Sequence, residues 1–190
     1  MVISKDDATQ ALGEIAAAGE RVRSLTAYAY TAPYLILWGI AWMFADVVTA
    51  FWGATPLGDW AWPATALVAT VINFVIALAM PRGGGKSAAP YRWRPLAAAG
   101  IGMLCVVALF VIVEPLNGKQ VHTVFALLAG AAYMLMGLWL GWRLVALGVA
   151  VTVLSLGAFY GLPLGVAYLL FMGVIVGGGL ILGGLWLRKV

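Results

Sequence analysis

Four side chains in this sequence could do chemistry in an unusual setting: Asp46, Asn73, Glu114 and His122. Each lies inside or at the edge of a long apolar stretch, and ionisable groups placed in a bilayer are costly and often functional. A carboxylate facing an imidazole stabilises the imidazolium, and histidine changes charge near neutral pH, so the set supports a proton or cation site. Two carboxylates and one imidazole, at spacings that match no metal motif, argue against a metal centre. The structural alternative is plainer. Asp46 is then a satisfied buried carboxylate to which Trp42, one turn earlier, offers its indole N–H. Asn73 ties helices together. Glu114 and His122 sit at the interface, with Lys119 paired to Glu114.

The elements that must position these groups follow from composition. Of 190 residues, 64% are hydrophobic and only 9% charged, against about 25% in a soluble domain. Mean hydropathy is +1.02. These values exclude a water-soluble enzyme, a disordered chain and a nucleic-acid-binding domain. A spanning helix needs about 20 apolar residues, and six stretches qualify, at about 30–51, 62–80, 96–113, 121–140, 144–160 and 164–187. The expected fold is all-α: an amphipathic N-terminal helix in residues 1–27, then a six-helix transmembrane domain in residues 28–190 built from antiparallel hairpins.

With six spans both termini share one side, which collects Lys5, Arg21, Arg23, Arg82, Lys86, Arg92, Arg94, Arg143, Arg188 and Lys189. The other side holds only Lys119. Basic residues favour the cytoplasmic face, so both termini are expected in the cytoplasm, with the protein multi-pass in the plasma (inner) membrane. Asp46 then lies about 7 Å outward of its span's midpoint, and Asp46, Glu114 and His122 all fall in the outer half. Pro33, Pro63, Pro95 and Pro163 are expected at helix starts, with Pro56 and Pro90 in connections and no proline in mid-membrane. The first 27 residues are polar and lack the apolar core of a cleavable signal peptide.

Tyr34, Trp38 and Trp42, with Tyr30 and Asp46, recur every fourth residue and predict a packed aromatic ridge on the first span. The remaining tryptophans, Trp62 among them, fit an interfacial aromatic belt. In the sixth span Gly173 with Gly177 and Gly179 with Gly183 form GxxxG pairs, which permit close helix contact. They are expected to pack on the fourth or fifth span, or to join two copies of the chain. Gly177, Gly178 and Gly179 together could unwind that span. Gly137-Leu138-Trp139-Leu140 followed by Arg143 echoes Gly184-Leu185-Trp186-Leu187 followed by Arg188, and the same 47-residue shift relates Gly130 to Gly177. The two hairpins involved would be parallel repeats.

Residues 4–26 carry Ala8, Ala11, Ile15, Ala18, Val22 and Leu25 at helical spacing, with Gln10, Glu14, Arg21 and Ser24 opposite. This helix is expected to lie on the bundle or bilayer, or to serve a protein partner or a second copy. The run Gly83-Gly84-Gly85-Lys86-Ser87 lacks phosphate-loop spacing and follows no strand, and is read as a basic loop that meets anionic lipid. A single Cys105 excludes an internal disulfide. No catalytic or cofactor motif is present.

The glycine-rich last hairpin resembles that of small six-span acid-resistance membrane proteins, over that hairpin alone. Six-span acetate/succinate permeases share the length, but their Asn-Pro-Ala-Pro-Leu-Gly signature is absent and only Pro163-Leu164-Gly165 echoes it. Tryptophan-rich sensory proteins have five spans and a different Trp/Pro pattern. None of these likenesses assigns a family. The expectation is a small non-enzymatic membrane protein with a structural, regulatory or partner-binding role, in contact with lipids and without a cofactor. The alternative is a transporter or channel for a proton, cation or small solute that uses Asp46 with Asn73, Glu114 and His122.

Overall fold

The computed structural model describes residues 5–79, 108 and 117–189. Glu114 and, apart from Ala108, the expected third span lie outside the described residues. Among the described residues there are five long helices and no strand. They are α1 (Lys5–Trp52), α2 (Pro56–Ala79), α3 (Gly118–Leu140), α4 (Trp142–Gly161) and α5 (Val166–Arg188). All five are long and apolar enough to cross a membrane.

The expected N-terminal helix and first span are one rod, because α1 runs unbroken for 48 residues. At 1.5 Å per residue it is about 72 Å long, more than twice the ~30 Å hydrocarbon core. Residues 26–30 contain no helix breaker, so nothing divides the two parts. Leu12, Ile15 and Val22 on the N-terminal part are exposed rather than laid on the bundle. Three proline positions differ from expectation. Pro33 and Pro63 lie inside α1 and α2, and Pro56 opens α2 instead of sitting in a connection. Proline suits a first helical position, where its missing N–H has no intrahelical acceptor.

α5 occupies the middle of the bundle. Its buried Tyr168, Met172, Val176, Leu180 and Leu187 share one core with Leu35 and Trp42 of α1 and Leu144, Leu147 and Val151 of α4. α2 lies along α1, and α3 lies along α4. Only Gly141 separates α3 from α4, at φ +132°. That conformation favours glycine, and a Cβ there would also strike the Tyr28 hydroxyl.

Of the four paired glycines of α5, one packs where the sequence suggested. Gly173 and Gly177 face α1, the first span: a Cβ on Gly173 would stand 2.8 Å from the Asp46 Cβ, and one on Gly177 would stand 3.0 Å from the Gly39 carbonyl oxygen. Gly183 alone of the four meets α4, at Leu147, and Gly179 meets nothing. Gly130, the expected counterpart of Gly177 in the repeat, approaches Thr152 and Gly148 of α4 instead. The Gly177–Gly179 run stays helical rather than unwound, but Phe171–Gly177 widens into π-helix. Such turns are rare and often sit at functional positions.

This packing predicts an asymmetry. A Cβ on Gly39 would stand 2.6 Å from the Gly177 carbonyl oxygen, whereas Gly179 faces open space. Gly39→Ala should cost about 1–3 kcal/mol by overpacking, and Gly179→Ala close to nothing. Denaturant unfolding of the two variants in detergent micelles checks this. Equal stability of the two would contradict the α1–α5 contact.

Candidate functional site

The site forms because four helices present polar groups at the same depth. Asp46 is six residues, or about 9 Å, before the end of α1. Trp62 is six residues into α2, His122 four residues into α3 and Tyr168 two residues into α5. The three-residue turn 53–55 sets Asp46 and Trp62 equally far from the bend, so they lie side by side. α3 starts in a capping box, in which Asn117 Oδ1 accepts from the Gln120 amide and Gln120 Oε1 accepts from the Asn117 amide, both at 2.9 Å. This fixes the first turn that carries His122.

Asp46 is fully buried, at 0% exposure. Its Oδ1 accepts from Trp62 Nε1 at 3.2 Å and lies 3.0 Å from His122 Nε2. His122 Nδ1 lies 2.8 Å from the Gly118 carbonyl oxygen. A carbonyl only accepts, so Nδ1 carries a proton. The Nε2 contact then needs one further proton, held by the imidazole as Nε2–H or by the carboxyl group as O–H. The pair therefore shares a single proton, as a charged or a neutral couple, and titrates as a unit.

Rings enclose the pair. Trp62 stands edge-on to the His122 ring, with centroids 5.3 Å apart, and to Trp42 at 6.1 Å. Tyr168 closes a third side, 6.5 Å from the imidazole. The Thr123 hydroxyl donates to the Lys119 carbonyl at 2.8 Å. The Tyr168 hydroxyl is then left to donate to Thr123 Oγ1 at 2.8 Å or to the same carbonyl at 3.1 Å. The Lys119 ammonium lies over the Phe159 ring at 4.9 Å. The His122 side chain keeps 16% of its surface exposed, against 0% for Asp46.

Of the four expected residues the structure joins two, Asp46 and His122. Asn73 lies eleven residues beyond Trp62, about 16 Å farther along α2, and does not join them. Glu114 lies outside the described residues. Trp42 belongs to the enclosing ridge and its indole also bears on Asp46, more weakly than Trp62: its Nε1 and Asp46 Oδ2 both fall short of full hydrogen-bond geometry among the described residues. The indole that binds the carboxylate is Trp62, which the sequence reading assigned to the interfacial belt. Tyr34 and Trp38 are half-buried farther down α1. Trp62, Thr123 and Tyr168 were missed, although the matched spacing of Asp46 and Trp62 about their turn was readable. Among the described residues no third histidine, cysteine or acidic side chain joins the pair to make a metal-binding group.

Comparison with known proteins finds no family model, curated protein or solved structure that matches this chain.

The two tryptophans are separable by experiment. Trp62→Phe keeps a ring but removes a donor to a buried carboxylate, and should cost about 1 kcal/mol, the scale of polar contacts between membrane helices. Trp42→Phe removes the weaker of the two indole interactions with Asp46, and should cost less. Unfolding free energies in micelles decide it, and the reverse order would refute the assignment of Trp62 as the donor.

Proposed function

We propose that this is a small non-enzymatic six-span membrane protein with a structural, regulatory or partner-binding role. In this reading Asp46, His122 and Trp62 form the clamp that holds three helices together at one end. The observation that carries it is the sealing of Asp46: the carboxylate is 0% exposed, and two other helices supply the partners of its Oδ1. A carboxylate closed off in this way suits a joint better than a stop on a solute path.

The sixth span is inferred from geometry. Trp62, near the start of α2, meets His122, near the start of α3, so α2 ends at the opposite end from the one where α3 begins. One more crossing between Ala79 and Asn117 restores the path. The bias of basic residues favours cytoplasmic termini and the plasma membrane. Residues 4–26 would then project into the cytoplasm, where exposed Leu12, Ile15 and Val22 offer an apolar stripe to a protein partner or a second copy. Lipids cover the spans, and nucleic acid has no part.

A second reading, transport of a proton, cation or small solute through Asp46, is favoured by two details. Asp46 Oδ2 is buried without a hydrogen-bond partner, and His122 is partly exposed. Purified protein in liposomes, with an imposed proton gradient and an internal pH dye, separates the readings. The clamp reading expects wild type to leak no faster than empty vesicles, and Asp46→Asn to lower stability alone. Wild-type flux that Asp46→Asn abolishes would overturn it in favour of transport. For the N-terminal segment, deletion of residues 2–26 should leave the bundle folded and remove self-association or co-purifying partners. An unchanged assembly would withdraw the interaction role.

A further inference from the structure

The end of the bundle opposite Asp46 carries a second built feature. A groove of ≈ 620 Å³ runs between α1, at Gly19, Glu20, Arg23 and Ser24, and the α3–α4 turn, chiefly Trp139 and Trp142. That volume is within the range of small-molecule sites, roughly 300–1,000 Å³. Its depth is set by Tyr28, whose hydroxyl abuts Gly141 in the α3–α4 turn. Ser24 lies about 6 Å and Gly19 about 14 Å beyond Tyr28 along α1. With Tyr28 and the turn at the edge of the hydrocarbon, the groove spans the headgroup layer, which is about 6 Å deep on each side.

The charges here are mostly positive. Arg21, Arg23, Arg143, Arg188 and Lys189 gather at this end, against Glu14 and Glu20. Glu20 and Arg23 both line the groove, and among the described residues no ion pair within 4 Å joins them. Arg143 follows the lining residue Trp142 in sequence and is held beside the groove rather than in its lining. Its guanidinium lies 4.8 Å over the Trp186 ring and 5.9 Å over Tyr28, and Nη1 donates to the Trp186 carbonyl at 3.3 Å. One bond leaves most of its five N–H donors available. Trp139 and Trp142 are 67% and 66% exposed, and tryptophan favours the boundary between acyl chains and headgroups.

We propose that this groove binds the phosphate headgroup of an anionic phospholipid. Arg23 contacts the phosphate, Arg143 adds a fixed positive charge beside the groove, and Trp139 and Trp142 flank the start of the acyl chains. A free anion would need no tryptophans at acyl depth, which is why the lipid is the occupant. The groove is independent of the Asp46 clamp.

The test is native mass spectrometry of the full-length protein in detergent, titrated with dioleoylphosphatidylglycerol, dioleoylphosphatidylcholine or inorganic phosphate. Wild type should retain the glycerol lipid in preference to the choline lipid. Arg23→Gln should cut that preference about fivefold, the worth of one arginine at an anionic surface. Lys119→Gln, which removes a charge at the opposite end, should leave it intact. Arg143→Gln should act in the same direction as Arg23→Gln. Because Arg143 also holds Trp186, Arg23→Gln decides the matter if the Arg143 variant fails to fold. Equal retention of the two lipids, or an Arg23→Gln protein with the full preference, overturns the proposal. Displacement of the lipid by inorganic phosphate would make the groove a free-anion site and overturn it as well.

Discussion

A carboxyl group that solvent does not reach, on a helix surrounded by apolar side chains, has to find its hydrogen-bond partners within the protein. Asp46 imposes that constraint, and much of the distal half of the molecule answers it. His122 and Trp62 come from two other helices to reach the same oxygen. Gly173 of α5 leaves room at the Asp46 Cβ, where a larger residue would push the helices apart. The α3 capping box aims His122, and the Gly118 carbonyl fixes which imidazole nitrogen carries a proton. Cap, tautomer, indole donor and glycine are parts of one solution to one buried group.

The answer also shapes the bundle. In a membrane, lipid tails are as apolar as leucine, so helices join through close packing and hydrogen bonds rather than through hydrophobic burial. α5 shows the packing route, with small residues against the α1 backbone. The distal layer shows the other route, with Asp46, His122 and Trp62 joining α1, α2 and α3, and Thr123 with Tyr168 joining α3 to α5. The widened π-helical turn of α5 begins beside this layer and ends at the closest approach of α1 and α5.

The two ends of the molecule suit different partners. The distal end encloses one shared proton among aromatic rings. The N-terminal end offers arginines and exposed tryptophans around the α3–α4 turn, with α1 reaching well past the bundle. The sealed end fits a joint, and the open, basic end fits contact with lipid or protein.

Helical character and burial in a membrane were legible from the sequence alone, because spanning segments are set by the length of apolar runs, a local property. Asp46 and His122 stood out because polar groups in such runs are few. The donor to Asp46, the contact face of each glycine and the isolation of Asn73 were decided only by tertiary structure. Trp42 shares a helix face with Asp46 one turn away, yet its Nε1 falls short of full hydrogen-bond geometry with the carboxylate. Trp62 reaches the carboxylate because an antiparallel hairpin brings equal distances from the turn to equal depth. Gly173 and Gly177 meet α1 rather than the neighbouring hairpin because contact depends on which backbone approaches closely. The continuity of α1 was also a collective outcome, in which propensity for helix on both sides of Thr26 outweighed the change from polar to apolar composition.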